Sequence, residues 1–155
     1  MEYAGVFKNI HPRAIKVSRN IAPKLWRGPM PHKKMFAIIW LMKMSKLYKI
    51  KCPKFVFNPD ETGLFRELTG GGHYIPGEHI IVLHGRYSFV TLAHEFRHAV
   101  QYTTEMSIYK GDLEEDARAW SLSLFKKACP NSYKKAKENN SLRIWETPKE
   151  DEKTS

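Results

Sequence analysis

Two cysteines in 155 residues, Cys52 and Cys129, are too few for a disulfide framework and lack the C-x-x-C spacing of a cysteine metal site. They read as ordinary thiols of a reducing compartment. Long apolar runs are missing too: the longest, Met35 to Met42, has eight residues bracketed by lysines, against the roughly 20 that a bilayer core requires. No membrane span is expected. The first residues also lack a basic segment followed by an apolar run, so no secretory signal is expected and the expected location is cytoplasmic. Acids are nearly absent from the first 54 residues, where Glu2 stands alone against thirteen Lys and Arg, while residues 55–155 hold fifteen acids and thirteen bases. The net charge of +10 is therefore carried entirely by the N-terminal third. Such polarity over residues 1–54 is that of a nucleic-acid or acidic-partner surface, of a chain drawn to anionic lipid, or simply of a soluble surface, and says little about fold. No zinc-finger spacing, RNA-recognition motif or helix-turn-helix accompanies it. Finally, no histidine follows residue 98; all seven lie at 11, 32, 73, 79, 84, 94 and 98.

What is present begins with a composition, 42% hydrophobic and 12% aromatic, that can bury one core but not comfortably two. The expected division is a basic N-terminal arm over 1–32, one domain over 33–140 and a disordered tail over 141–155. Pro12, Pro23, Pro29 and Pro31 interrupt the arm, leaving loops, a brief strand at Ile15 and Val17, and Leu25-Trp26 tucked onto the core. Residues 33–50 read as a helix, with apolar positions 36, 39, 40, 44, 47 and 48 packing behind a sheet; an amphipathic helix on an anionic membrane is the competing reading. From Cys52 the period changes. Phe55 to Phe57, His73 to Ile75 and Glu78 to His84 read as three strands, the last two joined by Pro76-Gly77. Strand 79–84 is the expected edge for pairing with an extended peptide. Ser88 is placed to cap a helix running to about Thr103, Asp112 to cap one over 113–128, and Cys129-Pro130 to end it before a short helix at 131–140.

Within the first of these helices stands His94-Glu95-Phe96-Arg97-His98. Histidines at i and i+4 lie one turn apart on one face, so both imidazoles can reach a single metal ion. Glu95 projects about 100° away around the helix, where its carboxylate can reach a metal-activated water without being a ligand. Zinc brings the pKa of such a water down to roughly 7, and a carboxylate then takes its proton as the water attacks a carbonyl. A catalytic zinc usually has three protein ligands. With no histidine downstream, a carboxylate is required, and the dense candidate is Asp112 to Asp116. Its bland explanation is an acidic first turn favoured by the helix dipole.

Followed by Glu114-x-x-Ala117, the motif resembles the gluzincin type of zincin metallopeptidase. More narrowly, Glu114-Glu115-Asp116-Ala117-Arg118-Ala119-Trp120 is similar to the E-x-[DE]-A-x-x-[FW] segment of ImmA/IrrE-like peptidases and short phage or mobile-element metallopeptidase domains. The resemblance covers about residues 54–128. It implies an α+β fold: a small three-to-four-stranded mixed sheet with an active-site helix, a ligand helix and an N-terminal backing helix. It implies Zn2+ held by His94, His98 and Glu114, Glu95 as general base, and a peptide or protein substrate. Two departures stand out. Many relatives carry Asp or Asn after the alanine, where it can orient a liganding histidine; Arg118 cannot accept the imidazole N–H, so Asp116 or a backbone carbonyl is the expected substitute. In a plain antiparallel hairpin, moreover, the residue opposite His98 falls nearer 118 than 114, which keeps Glu115 and Asp116 as alternative ligands. Tyr102 shares the face of His98 and either lines the cleft, where it can donate to an oxyanion, or packs in the core. His84, ending the strand before the motif helix, is a further cleft candidate beside its reading as a loop histidine. A binding module with structural zinc, its basic residues 1–54 on nucleic acid or an acidic partner, is the rival to peptide hydrolysis.

Overall fold

The computed structural model describes residues 10–25, 27–58, 71–84, 88–104, 113–139 and 142. Among them the chain is α+β, with five helices and a three-stranded mixed sheet. Trp26 and Asp112 lie outside the described residues, as does the expected disordered tail at 141–155 apart from Leu142, which is instead buried in the core.

The first helix, α1 (Pro12–Leu25), stands where a brief strand was expected. Its buried positions are Ala14, Ser18, Ile21, Ala22 and Leu25, a helical spacing of one face. Three of these five are Ala or Ser, so the apolar period is faint in sequence. Pro12 is harmless in the first turn, where the missing N–H would have had no partner. Leu25 is buried in the core as expected.

Helix α2 (Met30–Tyr48) begins three residues before the expected start. It ends at Lys49, whose N–H still donates to the Ser45 carbonyl and whose left-handed backbone (φ 58°) turns the Ile50 N–H back to the same carbonyl at 3.0 Å. Rather than simply backing the sheet, α2 packs chiefly along α1 and touches β1 and the motif helix. Trp40 is fully buried, donating its indole N–H to Ser18 Oγ at 3.0 Å. Met35, Ile38 and Met42 remain exposed, so the apolar residues are not all drawn to one side.

The strands are β1 (Lys54–Asn58), β2 (Gly72–Ile75) and β3 (Ile80–His84), in the order β1-β3-β2. The β1–β3 pair is parallel and the β2–β3 pair antiparallel. This corrects the expectation for strand 79–84: β3 is the middle strand, with neighbours on both sides, so it cannot pair with an added peptide. The edges among the described residues are β1 and β2. Gly72 marks a close approach. A Cβ there would lie 2.9 Å from Leu83 Cδ2, 2.9 Å from Val82 O and 3.0 Å from Thr91 Cγ2, so β2 sits tight against both β3 and the next helix.

That helix, α3 (Phe89–Thr103), begins as expected, with Ser88 Oγ accepting from the Thr91 N–H at 3.3 Å. It is followed by α4 (Leu113–Ala128) and, directly after Cys129, by α5 (Pro130–Glu138). Twelve residues of α3 are buried. Phe89 and Phe96, two turns apart, pack edge-on against Trp40 at 5.5 and 5.4 Å between ring centres. Phe96 also meets Tyr48 of α2 at 5.9 Å and Trp120 of α4 at 6.1 Å. Aromatic burial of this kind contributes both area and edge-to-face geometry, and it clamps the motif helix between α2 and α4.

Candidate metal centre

Apolar residues on one face of α3 are claimed by that aromatic core, which turns His94 and His98 toward α4. Their rings lie 4.8 Å apart, nearly perpendicular. Across from them, Glu114 in the first turn of α4 divides its carboxylate between the two: Oε2 is 3.0 Å from His94 Nε2 and Oε1 is 3.1 Å from His98 Nε2. One donor atom from each residue falls within 4.8 Å of the others, so His94, His98 and Glu114 can together hold a metal ion. Two ligand atoms each about 2.0–2.1 Å from a tetrahedral ion stand roughly 3.4 Å apart; the two histidine–glutamate contacts are a little shorter than this and the donor set as a whole spreads to 4.8 Å. Two imidazoles and a carboxylate suit zinc chemically; the donor set does not by itself name the metal.

Burial grades across the group. The His94 side chain is 5% exposed, His98 15% and Glu114 48%, so the centre opens on the Glu114 side. Burial pushes the His94 imidazole pKa down, partly countered by Glu114. His98 feels burial as well, but the hydrogen bond to Glu114, the Glu95 charge and Gln101 together raise its pKa above the ordinary value. For Glu114 burial would raise the pKa, yet its hydrogen bonds to both histidines hold the carboxyl well below the usual carboxylate range. Glu95, 6% exposed, is pushed from 4.5 up to about 7, mainly by burial, with Glu114 adding to the rise and His98 opposing it. A carboxyl near 7 is matched to taking up and releasing protons at neutral pH.

The neighbouring acids take other roles. Asp116 is 1% exposed and receives Arg97 Nε at 2.8 Å and Nη2 at 3.2 Å, an arginine itself buried. It is therefore committed to an internal ion pair and is not grouped with the histidines. Glu115 is not in that group either.

The residue that orients His98 is one that pattern reading passed over. Gln101 Oε1 lies 2.8 Å from His98 Nδ1, and Gln101 Nε2 donates to Asp116 Oδ2 at 2.7 Å and to the Leu113 carbonyl at 2.9 Å. With its amide so fixed, Gln101 accepts from Nδ1–H, and Nε2, which donates to Glu114 here, is the nitrogen a metal ion would take. The available signal was His98-x-x-Gln101, a spacing that puts both on one helical face. Asp116 thus acts one bond further out, by holding Gln101 rather than the imidazole. Arg118 faces Glu114 itself, its Nε 3.4 Å from Oε2.

Tyr102 is 49% exposed, so the packing alternative gives way to a surface position beside the site. Its ring lies 6.5 Å from that of His98 and 6.1 Å from Tyr74. His84 is buried and stacks on His73 at 5.1 Å, with Nε2 3.3 Å from His73 Nδ1; it is not grouped with the metal-binding residues. No helix among the described residues is long and apolar enough to cross a membrane. No protein-family model matches the chain, and no curated protein or solved structure matches it.

Proposed function

We propose that this chain is a zinc-dependent peptidase of the gluzincin type, acting on peptide bonds of a protein or peptide substrate in the cytoplasm. The observation that carries the reading is the convergence of His94, His98 and Glu114 beside a buried Glu95 whose pKa lies near 7. His94, His98 and Glu114 hold the ion in this reading. Zinc, when bound, supplies Lewis-acid polarisation of a carbonyl oxygen and makes water acidic enough to lose a proton near neutral pH. Glu95 then accepts that proton as the water attacks the scissile carbonyl, and returns it to the departing amine. Gln101 keeps His98 in the tautomer that presents Nε2. Tyr102 borders the cleft, with its phenol available to a developing oxyanion. Metal analysis and two variants test this. His94→Ala is expected to abolish stoichiometric zinc, and Glu95→Gln to keep zinc and lose cleavage; purified protein without zinc-binding capacity overturns the proposal.

One observation favours a second reading, a zinc-stabilised binding module. Arg118 lies 3.4 Å from Glu114, placing a fixed cation at the open side of the centre. In that case Glu95→Gln changes no measurable activity, while zinc removal lowers the thermal midpoint.

A further inference from the structure

Away from the metal centre, α1 and the start of α2 enclose a cleft of about 370 Å³ lined by Asn20, Lys24, Arg27, Gly28, His32 and Phe36, with Pro23 at its rim. Lys24 Nζ lies 4.9 Å from the centre of the Phe36 ring, so this cation reaches across from α1 to α2. The charged groups here are all donors: an ammonium and a guanidinium carry no acceptor. Among the described residues none of the three basic side chains pairs with a carboxylate, and no Asp or Glu occurs anywhere between residues 3 and 59. The cleft is also not isolated. Arg13, Lys16, Asn20 and Lys24 are all exposed and follow the i, i+3, i+4 spacing of one helix face, a row about 16 Å long at 1.5 Å per residue.

We infer that this row and the cleft it enters form a binding surface for the phosphodiester backbone of a nucleic acid. A polymer that repeats a negative charge every few ångströms can meet several of these donors at once, releasing counterions as it does. The row itself lies on α1, which offers no exposed large hydrophobic residue for a lipid surface to take up; Met30, Met35, Ile38 and Met42 are exposed on α2, and vesicle binding is therefore the competing outcome of the test. The surface contacts backbone phosphates, so it discriminates little between sequences. This inference is independent of peptide hydrolysis and is tested without it.

The experiment is fluorescence anisotropy of the full chain with a short labelled DNA duplex across a salt series, with and without zinc. Native protein is expected to bind with a steep negative dependence of log K on log salt. Lys24→Ala with Arg27→Ala should flatten the slope by about 1.8, two phosphates at roughly 0.9 each. Lys134→Ala with Lys135→Ala removes the same charge from exposed positions of α5 and should leave the slope nearly unchanged. The inference is overturned if both pairs flatten the slope equally, which would make net charge the only cause. It is overturned too if duplex fails to bind while phosphatidylserine vesicles or polyglutamate do.

Discussion

Removing the Asp116 carboxylate by Asp116→Ala perturbs the most deeply buried ion pair among the described residues. The side chains of Arg97 and Asp116 are 2% and 0% exposed, with two hydrogen bonds between them at 2.8 and 3.2 Å. Taking away the carboxylate leaves a guanidinium out of water with no counter-charge, still held 5.3 Å from the Trp120 ring, and strips the Gln101 amide of a 2.7 Å acceptor. Breaking a buried pair in this way costs about 3–5 kcal/mol, a large part of the 5–15 kcal/mol typical of a domain. Urea unfolding of the metal-free protein reads it directly: at about 2 kcal/mol per molar, the midpoint should fall by roughly 2 M with little change in slope. Replacing both partners, Arg97→Met with Asp116→Leu, should cost less than Asp116→Ala alone, since no charge is then left buried. A loss for Asp116→Ala below about 1 kcal/mol, or a double variant less stable than the single, would refute the assignment of this pair as the internal support of α3 on α4.

Gln101→Leu keeps the packing but removes the acceptor at His98 Nδ1; zinc affinity measured by competition with a chromophoric chelator should fall about 10–100-fold, and an unchanged affinity would deny Gln101 its orienting role. Gly72→Ala forces a methyl group to within 2.9 Å of Val82 O and Leu83 Cδ2, and should cost about 1–3 kcal/mol in chemical unfolding; a neutral result means β2 stands further from α3 than described. In the metal-free protein the Glu95 carboxyl keeps its proton to about pH 7, whereas the unfolded chain loses it near 4.5. The folded state therefore binds more protons over that interval, and stability present below pH 4.5 is lost as pH rises through 7. At 1.36 kcal/mol per pH unit the loss is roughly 3 kcal/mol. Glu95→Gln removes it, so in chelator the variant should melt above native protein at pH 8 and close to it near pH 4. An equal difference at both pH values would contradict the burial of Glu95.

The boundaries of α3 and α4 were legible because strong local signals agree. Ser88 caps the first, a wide apolar face runs through both, and Cys129-Pro130 closes the second. The existence of the three strands, though not their pairing, followed from short β-branched and aromatic runs separated by turn residues. Helix α1 was not legible. Its inner face is built from Ala14, Ser18 and Ala22, whose small side chains carry almost no hydropathy contrast, while its prolines argued for a break. The position of β3 was misjudged for a different reason. A continuous apolar run such as Ile80 to Leu83 is the mark of a strand covered on both faces, and says nothing about which neighbours flank it in the sheet.

At the candidate metal centre the sequence by itself determined that two histidines share one face of a helix, that Glu95 stands beside them and that the dense acids of 112–116 were the expected source of a third donor. All of this follows from helical periodicity and from the absence of histidine after residue 98. Which carboxylate it is depends on how α4 lies against α3, and only the tertiary structure decided that. Packing around Phe96 and Trp120 brings the first turn of α4 to the histidines, so Glu114 meets both. Two helical steps, about 200° at 100° per residue, then place Asp116 on the inner side, against Arg97 and Gln101. The same local acidity thus separates into a group that meets both histidines and a buried support, a division set by the direction each side chain faces once the helices are packed.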